Sequence, residues 1–230
     1  MHLPNGSKIF IEASNEPEHE IKALDTTYLF PNPTNSFVVI LRNFNDSNLY
    51  RIGDTVLLAA SDAKILEGNL YRILSIGTGS GRIRLWPEDR IGELPRNTNI
   101  PNYGMMRKIS SWAELPCVQS IDKEGNEQNW YTYQCLNSGR EERQKTTKSA
   151  LFMSYTIAHD PGNPTYAIMK NHEKSKSLMA AYMHIPRAKE NRYWSGGVSF
   201  DDVPATVVNE METVTLRMAI RGAYKFLPSS

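Results

Sequence analysis

Apolar residues in this chain recur at every second position, and this spacing restricts the fold more than any other feature of the sequence. In the segment 213–221, an apolar set alternates with a polar set: Val214, Leu216, Met218 and Ile220 against Thr213, Thr215, Arg217 and Arg221. In the segment 149–158, Leu151, Met153, Tyr155 and Ile157 alternate with Ala150, Ser154 and Thr156. A strand sends successive side chains to opposite faces, whereas a helix would scatter them around its axis. Both segments are therefore predicted to be half-buried strands.

The same reasoning predicts many further short strands. They are 8–13, 37–42, 55–59, 71–76, 82–86, 107–112, 129–135, 178–185 and 193–200. Polar turns rich in Gly and Asn separate them, as in an antiparallel sheet protein. A single helix is predicted, over 165–177, with Thr165 as its N-terminal cap after a proline turn. The fold class is therefore mainly β, an antiparallel sandwich or barrel with one flanking helix.

Composition shifts divide the chain into three parts. Residues 1–44 read as an N-terminal arm and the first strands of the main domain. Residues 45–103 read as an inserted β-meander, with a loop-like, proline-bounded end at 95–103. Residues 104–230 contain the remaining strands and the helix, and are predicted to form the core domain.

The charge balance argues against a general nucleic-acid-binding protein. The chain has 230 residues, with 26 Lys and Arg against 25 Asp and Glu, a net charge of +1. General DNA binding needs a basic excess to neutralise phosphates. The start of the chain shows no secretory signal pattern and no apolar run approaches membrane-spanning length, so a cytoplasmic origin is expected. Cys117 and Cys135 are expected to be free thiols packed in buried strands.

No pattern predicts a catalytic residue, a cofactor site or a metal site. The GTGSG segment at 77–81 lies between two strands and not before a helix, so it predicts a hairpin turn instead of a phosphate loop. The five histidines are dispersed without metal-ligand spacing, and no nucleophile elbow occurs. Asp201 and Asp202 are predicted to lie in a solvated turn.

The segment 138–148 is the most charged in the chain and is predicted to be a long hairpin loop. Its charged residues are Arg140, Glu141, Glu142, Arg143, Lys145 and Lys148. Two interpretations stay open: a mobile solvated loop, and a contact for assembly. In the second, the loop would become ordered on a neighbouring subunit and form several ion pairs with it.

Six segments follow one another along nearly the whole chain: LPNGS at 3–7, EGNLYRILSI at 67–76, MRKISSWAEL at 106–115, EERQKTTKSALFMSYTIAHDPGNPTY at 141–166, SGGVSF at 195–200 and NEMETVTL at 209–216. In their order and spacing, these segments resemble the major tail tube proteins of phages with long non-contractile tails, the lambda-like family. The link after the meander departs from the family, which commonly has an acidic, Thr-rich stretch where this chain has WPEDR at 86–90.

The resemblance implies a structural virion protein without catalysis. Six-fold rings would stack into a hollow tube for double-stranded DNA, made in the bacterial host cytoplasm. Implied partners are further copies of the chain, the tape-measure protein, the tail terminator, the distal tail or baseplate proteins, and DNA that passes without specific binding. Two hairpins per subunit would line the channel, 129–135 with 149–158 and 193–200 with 213–221. The hairpin loop 138–148 would join successive rings.

Alternation places five residues on the face toward the channel: Ser154, Thr156, Thr213, Thr215 and Arg217. For Arg217 and Arg221, pairing with acidic groups and a position beyond the channel both stay open. Alternative functions are a tail terminator or joining protein that forms a single ring, a small β-fold enzyme, and a free DNA-binding module that uses Arg82, Arg84 and the charged hairpin 138–148.

Overall fold

The computed structural model describes residues 6–14, 16–25, 36–77, 79–86, 99–135, 139–206, 209 and 211–228. The strands that come before the helix are β1 Lys8–Glu12, β2 His19–Asp25, β3 Phe37–Leu41, β4 Thr55–Ser61, β5 Leu70–Ile76, β6 Arg82–Trp86, β7 Asn99–Ile109, β8 Trp112–Glu114, β9 Val118–Gly125, β10 Gln128–Gln134, β11 Glu141–Lys148 and β12 Leu151–Ala158. Helix α1 Thr165–Ser175 precedes β13 Met179–Ile185, β14 Glu190–Ala205, β15 Thr213–Ile220 and β16 Lys225–Pro228. Short 3-10 helices cover Phe44–Leu49 and Pro186–Ala188.

The larger sheet is rolled. Its strands follow the order β8-β1-β13-β14-β15-β12-β9, all antiparallel, and β16 pairs with β14. In a flat sheet the outer strands of this path would lie about 29 Å apart, at about 4.8 Å per strand. However, β8 ends at Glu114 and β9 begins at Val118, and four residues span at most about 14 Å. The two ends of the sheet must therefore curl toward each other.

A hydrophobic core fills the inside of this rolled sheet. Apolar residues of both halves meet there, including Ile11 of β1, Tyr155 of β12 and Leu216 of β15, all fully buried. Helix α1 adds Tyr166 and Met169 to the same core. The predicted core faces of β12 and β15 are confirmed, and so is the mainly β, antiparallel fold with one flanking α-helix among the described residues.

The helix begins differently from the prediction. Thr165 is its first residue and not its cap, and Pro164 occupies the cap position without a side-chain hydrogen bond. The side chain of Asn163 instead accepts from the Thr165 backbone N–H at 3.0 Å. The helix ends at Ser175, before the predicted end at 177, because Lys176 adopts a left-handed conformation with a φ of 55°.

The second unit is a closed six-stranded barrel, β2-β3-β6-β5-β4-β7, with its own core. It differs from the predicted meander at 45–103, because β2 and β3 come before residue 45 and β7 continues past residue 103. Three strands from 45–86 cannot close a barrel alone, so they take neighbours from both sides in sequence. The stretch 99–103, predicted as loop, belongs to β7, while 91–98 lies outside the described residues.

The barrel packs firmly on the outside of the rolled sheet. Leu57, Leu70 and Ile109 of the barrel contact Ala180 and Tyr193 on the sheet. Polar contacts add to this junction. The Ser195 hydroxyl donates to the Gly68 carbonyl, and the Ala223 N–H donates to Asn69 Oδ1 at 2.5 Å. Apolar burial and buried hydrogen bonds together hold the two units in one arrangement.

Several local predictions were wrong. The segment 129–135 does not pair with 149–158, because β10 pairs with β11, whereas β12 pairs with β9 and β15. The predicted pair 193–200 with 213–221 is confirmed by the β14–β15 ladder. Cys117 and Cys135 are free thiols as predicted, but both are exposed. Cys117 lies in the β8–β9 link at a φ of 20°, and Cys135 follows the last residue of β10.

Candidate functional site

A broad polar surface covers the outer face of strands β14, β15, β12 and β9. Ser154 is opposite Arg217 in the β12–β15 register, and Thr156 is opposite Thr215. With Thr213 at the start of β15, the five residues predicted to share a face do so. Their neighbours in register extend the surface: Ser199 and Asp201 on β14, and Ser120 and Asp122 on β9. Glu124 lies on the same face of β9, two residues beyond Asp122. All ten side chains are exposed or half-buried, and none belongs to the core.

On this polar surface, the positive charge of Arg217 is paired with the carboxylate of Glu124. Arg217 Nη2 donates to Glu124 Oε2 at 2.7 Å, and the guanidinium lies 4.4 Å from the centroid of the Phe152 ring. Asp122 and Asp201 are further anions, so the described charges of this surface sum to a negative value. Arg221 is not on this surface. It follows β15, and its N–H donates to the Ser195 carbonyl at 3.0 Å beside the barrel.

This four-stranded region has an open edge on each side. No described strand pairs with the outer edge of β9. At the other side, β13 pairs with β14 only as far as Gly196, so no described strand borders the remainder of β14 on that edge. Unpaired backbone groups along a strand edge favour pairing with another strand.

A two-stranded arm extends the β9–β12 ladder beyond the rolled sheet. Strands β10 and β11 pair only with each other, and nearly all their residues are exposed. At the base of the arm, Ser149 N–H donates to the Glu127 carbonyl at 2.9 Å. Gly125 and Asn126 have positive φ values of 81° and 63°, which turn the chain out of β9. Isolated two-stranded hairpins are marginally stable in water, so this arm is suited to a partner.

The charged segment predicted as a loop is therefore mostly strand. Glu141, Glu142, Arg143, Lys145 and Lys148 lie in β11 and are exposed. Arg140 directly precedes that strand, while residues 136–138 lie outside the described part. The prediction of a loop failed because β11 contains no apolar residue, so no alternation was visible. Its register with the aromatic strand β10 organises it instead.

The arm carries exposed aromatic side chains as well as charged ones. Trp130 and Tyr131 are 57% and 61% exposed. The Tyr133 hydroxyl donates to Glu142 at 2.7 Å, and this hydrogen bond and the nearby charge raise the pKa of Tyr133 above its usual value. Exposed aromatic residues beside Arg are typical of protein interfaces.

The described residues give no indication of a metal site. No group of three or more His, Cys, Asp or Glu among them is placed to hold a metal ion. Asp201 and Asp202 do not lie in a turn as predicted, because β14 continues through Ala205. Asp202 instead pairs with Lys170 at 2.5 Å. A cavity of about 560 Å³ at the seam between β1 and β9 has Ile9, Leu115 and Val118 in its wall.

Sequence reasoning missed the contribution of β9 to the polar surface. Its outer residues, Asp122 and Glu124, alternate with Ile121 and Lys123, and the lysine breaks the apolar set that marks a strand. The only available signal was the polar spacing of Ser120, Asp122 and Glu124. Within the described part of the chain, no helix has the length and apolar character needed to span a membrane.

A comparison with protein families identifies the family of the chain. Residues 97–229, more than half of the chain, match the family described as phage tail tube protein, TTP. The matched region contains the polar surface, both open edges, the arm and helix α1. No curated protein matches the chain. The chain therefore belongs to the phage tail tube protein family and is a structural component of the virion tail.

Proposed function

We propose that six copies of this chain form a ring in which β9 of each copy pairs with the open edge of β14 in the next. The observation that carries this proposal is the four-stranded polar surface with two open edges. Strands β14, β15, β12 and β9 alternate in direction. Hence β9 is antiparallel to β14 of the next copy, and the ladder can continue around the ring without a change of pattern.

The resulting channel has a suitable width. Four strands from each of six copies make twenty-four, and at about 4.8 Å per strand the circumference is about 115 Å and the backbone diameter about 37 Å. Strand tilt widens it further. Such a channel admits a DNA duplex with space for side chains and water.

The chemistry of the polar surface suits passage of DNA without binding. Serine and threonine side chains dominate it, and Arg217 is neutralised by Glu124. Asp122 and Asp201 add negative charge that repels phosphate. A basic wall would instead hold the backbone through counterion release. We assign Ser154, Thr156, Thr213, Thr215 and Arg217 to the channel wall.

The arm is proposed to join successive rings. It continues the β9–β12 ladder past the end of the sheet, so it points out of the plane of its own ring. Trp130, with the charged residues Arg140, Glu141, Glu142, Arg143, Lys145 and Lys148, would be covered by the adjacent ring. Head-to-tail contacts of this kind extend rings into an open filament.

The barrel is proposed to lie on the outside of the tube. It packs on β13 and the first half of β14, whereas the polar surface begins in the second half of β14. Because the sheet is rolled, these sectors point in different directions. The remaining proposed partners follow from the family: the tape-measure protein and DNA inside, the terminator and distal tail proteins at the ends, with synthesis in the host cytoplasm.

The test replaces the arm, residues 128–148, by two glycines that join Glu127 to Ser149. These ends are already hydrogen bonded at 2.9 Å, so the closure leaves the rolled sheet intact. Electron microscopy of the wild-type protein is expected to show open-ended tubes, and of the variant, separate rings. A wild-type protein that forms only single rings would favour a terminator instead. Long tubes from the armless variant would refute the role of the arm.

A further inference from the structure

Helix α1 borders the open edge of β14 at the position where a strand would otherwise pair. Strand β13 starts at Met179, opposite Gly196, and α1 ends shortly before it at Ser175. Beyond Gly196, the edge of β14 lies beside the helix. Tyr166 packs edge-on against Phe200 at 5.2 Å between ring centroids, which fixes the helix beside this edge.

One backbone donor of this edge is already occupied by a helix side chain. The Phe200 N–H donates to Glu173 Oε1 at 3.3 Å. In an antiparallel ladder, alternate residues direct their backbone groups to opposite neighbours. Ser195 directs its carbonyl toward the β15 side, where it accepts from Arg221 N–H at 3.0 Å. Val198 and Phe200, which lie in the regular part of the β14–β15 ladder, therefore direct theirs to the open edge.

A second helix side chain forms an ion pair with Asp202, two residues further along β14. Lys170 Nζ lies 2.5 Å from Asp202 Oδ2, and this interaction keeps the pKa of Asp202 below its usual value. Both side chains of the pair are about half exposed, at 45% and 46%. Glu173 is also exposed. Solvated contacts of this type contribute little and can exchange readily.

We propose that Glu173 and Lys170 guard the β14 edge in the unassembled subunit and release it to β9 of a second copy when the ring closes. This inference rests on the proposed function. Proteins protect open strand edges with charged side chains or a covering helix, and here the helix supplies both. The incoming backbone carbonyl takes the place of the Glu173 carboxylate at the Phe200 N–H.

The arriving strand has an exposed apolar residue that gains from the contact. Ile121 and Lys123 of β9 are in register with Tyr155 and Met153, which places them on the core side of the sheet. Ile121 is 38% exposed in the single chain. In the ring, this side of β9 borders α1 of the neighbour. Ile121 then gains apolar cover against that helix.

The test compares Glu173→Ala with Glu173→Gln, which retains a hydrogen-bond acceptor, and with Lys174→Ala, an exposed change on the same helix. Hydrogen exchange of the Phe200 amide is measured in the unassembled subunit, and light scattering gives the protein concentration at which tubes begin to form. For Glu173→Ala we expect about fivefold faster exchange and about fivefold lower onset concentration. Glu173→Gln and Lys174→Ala should stay near wild type.

Two outcomes separate this inference from the proposed function. Equal exchange rates and equal onset concentrations in wild type and Glu173→Ala would overturn the guarding role, even where tubes form normally. A wild-type protein that forms neither rings nor tubes would count against the proposed function. In that case the exchange of the Phe200 amide still decides whether Glu173 protects the edge.

Discussion

Arg107 of the barrel forms a fully buried ion pair with Glu12 of the rolled sheet. Its Nη2 lies 2.8 Å from Glu12 Oε2 and its Nε lies 2.9 Å from Oε1, a two-pronged contact between side chains that are 4% and 0% exposed. Burial lowers the pKa of Arg107, but the hydrogen bond and charge of Glu12, with Glu18, outweigh this and raise it. Glu12 Oε2 also accepts from the Ala180 N–H at 3.1 Å. This pair therefore adds a buried charged contact to the junction between the two units.

Removing one residue of this pair should lower the free energy of unfolding much more than removing both charges. Arg107→Met leaves Glu12 buried and unpaired, and we expect a loss of about 3–5 kcal/mol in the free energy of unfolding. Adding Glu12→Gln removes that charge while keeping an acceptor for Ala180 N–H, so part of the loss should return. Urea denaturation measures both. A double variant no more stable than Arg107→Met would contradict this account.

Neighbouring residues on β15 should respond to very different extents to the same substitution. Leu216 is fully buried, so Leu216→Asp places an unpaired charge in the core and should cost several kcal/mol, on the order of 4 or more. Thr215 is exposed on the polar surface, where Asp201 lies opposite it in register, so Thr215→Asp should lower the free energy of unfolding by only about 1 kcal/mol, through repulsion between like charges. Thermal unfolding of the two variants, followed by circular dichroism, tests this prediction. A stable Leu216→Asp protein would mean that the strand faces are inverted.

Gly125 at the base of the arm should not tolerate a side chain. Its φ is 81°, and a Cβ there would overlap the carbonyl oxygen of Ala150. Gly125→Ala is expected to lower the free energy of unfolding by about 1–3 kcal/mol. Gly139→Ala is the matched control, because a Cβ at that position meets no atom within 4 Å. Equal stability of the two variants, measured by denaturation, would argue against a constrained turn.

Trp130 should matter for tube growth and not for folding. It is 57% exposed on the arm, so Trp130→Ala removes few contacts within the subunit. Loss of an aromatic anchor at an interface typically costs about 2 kcal/mol or more, which corresponds to at least about a thirtyfold rise in the onset concentration for tubes. Ile52→Ala, at a residue 70% exposed on the barrel, serves as control. Unchanged light-scattering curves for Trp130→Ala would exclude Trp130 from the contact.

Acid should destabilise the subunit through His172. Burial lowers the pKa of His172, the charge of Arg107 lowers it further, and the charge of Glu12 opposes this. The unfolded chain therefore binds a proton near pH 6.5 before the folded chain does, and the free energy of unfolding falls as pH drops below about 7. His172→Gln should show a smaller fall between pH 7.5 and 5.5. Urea denaturation at the two pH values measures this loss. An equal loss of unfolding free energy in wild type and His172→Gln would contradict the assignment.

The sequence predicted best those elements whose own residues carry a two-residue apolar repeat. Strands β12 and β15 were located almost to the residue, and their buried faces were correct. Strand β11 was missed because none of its residues is apolar, and β9 because Lys123 interrupts its apolar face. Both strands form because they pair with a neighbouring strand. Their formation therefore depends on the residues of that neighbour as much as on their own.

The sequence by itself determined the fold class, the single α-helix among the described residues, the polar face of β12 and β15, and the resemblance to tail tube proteins. These follow from local alternation and from ordered motifs, which need no knowledge of distant contacts. Only the tertiary structure decided that β10 and β11 form a separate arm, that the barrel recruits β2, β3 and β7, and that α1 borders the edge of β14. Those arrangements depend on contacts between residues far apart in the chain, where backbone hydrogen bonds and buried charges such as Arg107 and Glu12 select one pairing among many.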